Sequence, residues 1–222
     1  MKIFGALHLT LLAATLLLAA LLSIACRRLL ISPTQTRLAV GAILAVNETI
    51  WWIYRYSREG IHRANLPLQL CDALVWLSVL ACFTLWPLAI EFAYFAGIAG
   101  AGLALLTPDL ISPWPSYPAI YFFIAHSGIV IAVLVLTYGG FIQFRPGAVP
   151  RSFGLLLCYG LFAGAVDALY GGNYMYLRAK PKGSSPLDWF GPWPWYLAGA
   201  AALGFLLFLL LWLPLRKAAE SL

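Results

Sequence analysis

Seven apolar stretches, at roughly 3–25, 37–56, 66–86, 88–107, 117–140, 152–171 and 193–214, succeed one another with only short polar segments between them. A helix needs roughly 20 mostly apolar residues to cross a bilayer. The pattern therefore predicts an all-α integral membrane protein, seven transmembrane helices in a single bundle, forming one polytopic domain over residues 1–222. Composition agrees: 63% of the chain is hydrophobic and 10% charged, where a soluble domain carries about 25% charge. A separate soluble domain does not fit, which excludes a nucleotide-driven motor or a cytosolic enzyme. The first apolar run exceeds the roughly 7–15 residues of a signal-peptide core, so an uncleaved first helix is expected.

The formal net charge is +6, but the basic residues sit in short clusters between apolar runs. That placement suits lipid head groups and topology signals rather than nucleic acid, which is not an expected partner. The four cysteines, Cys26, Cys71, Cys82 and Cys158, show no CxxC pair and no metal-type spacing with histidine. No metal or cofactor is expected. With seven spans, one face receives Arg27, Arg28, Arg37, Arg145, Arg151, Arg216 and Lys217. The other receives Lys2, Arg55, Arg58, Arg63, Arg178, Lys180 and Lys182. The two sets are equal, so the positive-inside rule gives no orientation.

Polar residues inside the spans are distributed unevenly. Let the face bearing the 2–3, 4–5 and 6–7 connections be distal and the opposite face proximal. Asn47 and Glu48 lie near the distal end of span two, Cys71 and Asp72 near the start of span three, His126 within span five, and Asp167 then Asn173 at the end of span six. At 1.5 Å per residue these groups share a layer roughly 5–15 Å below the distal surface. The proximal half is read as nearly free of intramembrane polar groups. Ionisable groups at membrane depth are costly and face cavities or partners, so a polar pocket open to the distal side is expected.

Cys71 follows Asn65-Leu66-Pro67-Leu68-Gln69-Leu70. Pro67 suits a first helical turn with Asn65 or Leu66 as cap, which would put the thiol near a positive helix terminus, where thiolate is favoured. It is then either a nucleophile or a small buried hydrophobe. His126 is either a general base toward Cys71, a cofactor ligand, or an interhelical hydrogen-bonding group. Haem ligation would require His8 and His126 to meet at one depth. A Cys–His pair suits acyl transfer, since imidazole can deprotonate the thiol and later protonate the leaving alkoxide. Glu48, Asn47 or Asp72 would orient the ring. Glu48 and Asp167 also admit proton or ion coupling, or plain pairing with Arg55, Arg58 or Arg178. Gly97, Gly100 and Gly102 read as a helix-packing seam.

These elements resemble a family. Asn65 to Cys71 resembles the LPLHLC segment of the YwaF-type bacterial integral membrane proteins. Glu91-Phe92-Ala93-Tyr94-Phe95 and Ala104 to Leu110 resemble their fourth span and its exit. Phe122 to Gly128 is similar to their FFxxHxG element, and Gly172 to Leu177 with Gly191 to Tyr196 to their last signature. That family is more distantly similar to the animal TMEM164 proteins, described as acyltransferases that move fatty acyl groups between phospholipids. The resemblance implies that Cys71 and His126 are the catalytic pair and that the cell (inner) membrane of a bacterium is the location. Two departures stand out. Gln69 replaces a usual His, and Pro113-Trp114-Pro115-Ser116-Tyr117 stands where relatives carry histidines.

The leading expectation is a lipid acyltransferase or acyl hydrolase with a thioester intermediate on Cys71 and His126 as base then acid. Asn47, Asn173 or backbone N–H groups near Pro67 would steady the oxyanion, Gln69 would position substrate, and Arg55, Arg58, Arg63 and Arg178 would hold a lipid phosphate. The partner is a phospholipid or lysophospholipid. The rival is a non-catalytic lipid- or small-molecule-binding protein, or a proton- or ion-coupled transporter using Glu48 and Asp167; no inverted repeat supports it.

Overall fold

The computed structural model describes residues 1–62, 65–110, 112–181, 183 and 185–216, with the backbone of 217–219. Among them the regular elements are all helical: α1 (Ala6–Arg27), α2 (Pro33–Glu59), α3 (Leu70–Thr84), α4 (Pro87–Leu106), α5 (Tyr117–Tyr138), α6 (Ala148–Tyr170) and α7 (Trp195–Ala219), plus 3₁₀ turns at Tyr174–Tyr176 and Pro186–Phe190. Five are long and apolar enough to cross a membrane: α1, α4, α5, α6 and Trp195–Arg216 of α7. The chain is a multi-pass membrane protein. The other two fall short by length and composition. α3 has only 15 residues, and α2, though 27 long, carries Arg37, Glu48, Arg55, Arg58 and Glu59.

Helices α4 and α5 are the axis of the bundle. In each, 61% of the apolar window is buried, against 22%, 17% and 11% for α1, α6 and α7. The outer three present Leu16, Leu17, Leu161, Phe162 and Leu206 outward, as a lipid-facing surface requires. Phe95 of α4 stacks on Phe208 of α7 with ring centroids 5.3 Å apart. Tyr94 Oη donates to the Leu211 carbonyl at 3.2 Å. Ser23 of α1 donates to the Leu134 carbonyl of α5 at 3.2 Å. These hydrogen bonds tie outer helices to inner ones where lipid supplies no hydrophobic drive.

Small residues permit the closest approaches. A Cβ on Gly41 of α2 would lie 2.7 Å from Cys82 Cβ and 3.0 Å from the Phe83 ring of α3. Gly97 likewise has room for no Cβ beside Ile129, 2.8 Å away, whereas a Cβ on Gly102 would meet nothing; the expected seam is real at one of its positions. Gly41→Ala is expected to force α2 and α3 apart and cost about 1–3 kcal/mol. Thermal unfolding in detergent would register this as an earlier transition, and an unchanged transition would contradict it.

The start of α3 differs from expectation. The helix begins at Leu70 with Gln69 as cap, not near Leu66, so Pro67 precedes the helix instead of occupying its first turn. Asp72 supplies the reason at one side: its Oδ2 accepts the Gln69 backbone N–H at 3.2 Å, as a carboxylate three residues past a cap does. Distant tyrosines take up the backbone groups before it.

Candidate functional site

The segment before α3 is irregular backbone. Its polar groups need partners from the protein, since lipid supplies none. The Leu66 N–H donates to Tyr174 Oη at 2.8 Å, and Tyr159 Oη donates to the Leu68 carbonyl at 3.1 Å. Gln69 Oε1 accepts the Met175 N–H at 2.9 Å. The segment is thus clamped to α6 and the turn after it. Tyr174 is held in turn by its own N–H donating to Asp167 Oδ1 at 2.9 Å. Gln69, read as a substrate-positioning residue, is the fastener of this clamp.

Cys71 follows as the second residue of α3. Counting from the proximal helix ends at 1.5 Å per residue, it stands about 20 Å up α3 and His126 about 18 Å up α5. The two helices pack against each other. Thiol and imidazole therefore lie on adjacent helices, each in the N-terminal half of its helix, and no hydrogen bond joins them among the described residues. Glu48 is fully buried. Trp52 Nε1 donates to its Oε1 at 2.6 Å and Tyr121 Oη to its Oε2 at 2.7 Å. Trp51 and Tyr121 stack at 4.2 Å, joining α2 to α5.

His126 is 7% exposed. Its Nδ1 meets the Phe122 carbonyl at 2.7 Å. A carbonyl only accepts, so Nδ1 carries the proton and the neutral ring keeps its lone pair on Nε2. Nε2 has no hydrogen-bond partner among the described residues, which is the tautomer a general base requires. His8 is the opposite case. Its Nδ1 accepts the Phe4 N–H at 2.9 Å while Nε2 donates to the Leu105 carbonyl at 2.7 Å. Both nitrogens are engaged, Nδ1 with the turn before α1 and Nε2 in pinning α1 to the distal end of α4, so neither is open to a haem iron in this arrangement.

Several expected pairings are replaced by others. Among the described residues, neither Glu48 nor the Asp167 carboxylate is paired with an arginine. Arg178 Nη1 reaches the Asp167 backbone carbonyl at 3.3 Å and the Gly172 carbonyl at 3.4 Å. Arg55 pairs with Glu59 at 3.2 Å and lies over Trp52, and Arg58 lies over Tyr54. Both are i, i+4 neighbours on α2, satisfied without reaching across the bundle. Arg63 lies outside the described residues. Asn173 turns its amide to the loop, donating to the Ala179 carbonyl at 2.9 Å and accepting two backbone N–H groups at 3.0 Å. It organises the loop rather than facing an oxyanion. Asn47 is different: its Nδ2 is buried with no partner among the described residues.

A profile of the TMEM164 family matches residues 3–212, nearly the whole chain. The chain belongs to the TMEM164 family. No curated protein and no solved structure matches it.

This TMEM164-family chain also holds a buried ionic centre that the sequence reading passed over. The proximal half is not free of polar groups. Glu91 of α4 is fully buried and receives two guanidinium groups. Arg145 donates through Nε and Nη2 at 3.0 Å each and through its backbone N–H at 3.2 Å. Arg151 donates through Nη2 at 3.0 and 3.1 Å and through Nε at 3.3 Å. The signal was present, since Glu91 is the one acid in its apolar run. Its partners lie 54 and 60 residues further on, and no local periodicity announces them.

Proposed function

We propose that this TMEM164-family protein is a membrane-embedded acyltransferase or acyl hydrolase acting on phospholipid or lysophospholipid, with Cys71 as nucleophile and His126 as acid–base group. In this reading all seven helices traverse the bilayer as one domain, α2 turning Ile43, Val46, Ile50 and Ile53 outward as a lipid-facing stripe. The chain sits in the cell membrane of a bacterium, on the YwaF-type branch of the family. What supports the proposal is a cysteine at the second position of α3, a helix packed against α5, together with a histidine on α5 whose Nε2 lone pair is unengaged among the described residues.

A thiol of ordinary acidity is mostly protonated at neutral pH, so attack needs a base. His126 Nε2 takes the sulfur proton as the thiolate adds to the ester carbonyl carbon. The tetrahedral adduct collapses, the carbon–oxygen bond breaks, and imidazolium returns the proton to the departing lysolipid alkoxide. The acyl group then rests on Cys71 as a thioester. A lipid hydroxyl or water, deprotonated by His126, attacks the thioester and restores the thiol. Asn47 Nδ2 is the donor available to the oxyanion, a role typically worth about 3–4 kcal/mol. Glu48 and Asp72 act as positioning groups, and the distal arginines Arg55, Arg58 and Arg178 face the lipid phosphate.

Intact-protein mass spectrometry after incubation with phospholipid tests this. A hydroxylamine-labile acyl adduct on Cys71 is expected, forming roughly 10²–10⁴-fold more slowly in His126→Ala. Absence of any adduct, beside a tightly co-purifying non-covalent lipid, would move the protein to the binding or transport class.

A further inference from the structure

The ionic centre around Glu91 carries more charge than its own neutralisation requires. One carboxylate meets two guanidinium groups, so the cluster keeps a net positive charge. Glu91 is 0% exposed, while the side chains of Arg145 and Arg151 are 49% and 37% exposed. The excess charge therefore faces outward at the proximal rim. Arg145 gives Nε and Nη2 to Glu91, and its Nη1 has no partner among the described residues. Arg151 is fixed by Nη1 donating to the Pro146 carbonyl at 2.7 Å. Two arginines so held have already lost side-chain freedom, which lowers the cost of capturing a further anion. The cluster also borders the N-terminus of α6, which begins at Ala148 directly after the left-handed Gly147, adding a positive helix end.

The surroundings favour the same kind of guest. By the sides that the span pattern assigns, only Glu91 and Glu220 of the eight acidic residues fall to the proximal face, against seven basic ones. The distal face has equally many basic residues but six acidic ones. Basic-residue counts alone are balanced, yet the net charge sits overwhelmingly on the proximal face. A basic rim at a membrane boundary meets the phosphates of the adjoining leaflet, and an arginine fork suits a phosphate geometrically.

We propose that Arg145 and Arg151, pre-set by the buried Glu91, form a phosphate-binding site at the proximal rim, whose ligand is the headgroup of an anionic phospholipid in that leaflet. The site lies on the face opposite Cys71 and is independent of the acyl-transfer reading.

The test uses full-length protein in nanodiscs of mixed phosphatidylglycerol and phosphatidylcholine, with retained lipids identified by native mass spectrometry on release. The wild type should retain phosphatidylglycerol preferentially. Arg145→Gln leaves Glu91 matched one-to-one by Arg151, which preserves the buried pair while removing the excess charge. It should lower the preference about five-fold, the factor that ~1 kcal/mol per basic residue near an anionic surface represents. Glu91→Gln keeps both arginines, leaves an amide oxygen to hold them and adds one net positive charge that offsets the weaker hold, so it should retain the preference. Loss in Arg145→Gln with retention in Glu91→Gln supports the site. An unchanged preference in Arg145→Gln overturns it, as does equal loss in both variants, which would report a disturbed fold. Displacement of phosphatidylglycerol by millimolar inorganic phosphate would assign the site to a soluble anion and overturn the lipid as its ligand.

Discussion

Cys71→Ser is expected to lower acyl turnover by at least about 10³-fold while leaving the fold intact, because removing a covalent nucleophile removes a step and not a contact. Serine fits the site: Cys71 is only part-buried at the second helical position, where a hydroxyl is well accommodated. The hydroxyl is far less acidic than the thiol, and the same imidazole then faces a harder proton transfer. The decisive measurement is release of radiolabelled fatty acyl chain from phospholipid by purified wild-type and variant protein, alongside their thermal unfolding. Undiminished turnover in Cys71→Ser would end the nucleophile assignment. His126→Ala should fall by the roughly 10²–10⁴-fold that loss of a general base costs, and the double variant should be no worse than the poorer single variant. Groups that act as one unit are non-additive in this way.

Removing both arginines from Glu91 is expected to be the most destabilising change in the proximal half. Arg145→Ala with Arg151→Ala leaves a fully buried carboxylate with no cation. Breaking a buried pair by deleting one side costs about 3–5 kcal/mol, and the partial hydration of both arginines points to the lower end, about 3 kcal/mol. Unfolding in detergent with added denaturant would show it. Adding Glu91→Met to the double variant should return most of the loss, because an apolar side chain of similar volume has no charge to strand. If the triple variant is as unstable as the double, the cost lies in packing of the arginine stems instead.

The two features differ in how far the sequence discloses them. Apolar runs of bilayer length are local, so the helical architecture and most element limits follow from single stretches of chain. Ser116 before Tyr117, for example, marks the start of α5 as a cap should. The start of α3 is not local. Pro67 argues for an early start, but Tyr159 and Tyr174, about a hundred residues further on, hold the backbone at Leu68 and Leu66 in a non-helical path. Of the site itself, the positions of Cys71 and Asp72 at the start of α3 and of His126 within α5 are legible by counting residues from span ends. The partners of each charge are not. Glu48 draws on Tyr121 and Trp52, and Asp167 on a backbone N–H, because uncharged donors were nearer than the arginines that sequence proximity suggested. Which histidine has a free nitrogen depends on carbonyls of its own helix and of another, and only the three-dimensional arrangement separates His126 from His8.

The shortness of α3 bears on how a lipid would meet the protein. Fifteen helical residues extend about 22 Å, less than the ~30 Å hydrocarbon thickness of a bilayer. On the acyl-transfer reading, a helix that stops short brings its first turn to where the glycerol esters of a resident phospholipid lie, beneath the headgroups and above the chains. The lipid reacts where it floats, without being drawn out of its leaflet. Membrane thickness then becomes a determinant of rate: lengthening the surrounding acyl chains lifts the esters away from the thiol, and hydrophobic mismatch tunes the reaction as directly as any headgroup contact.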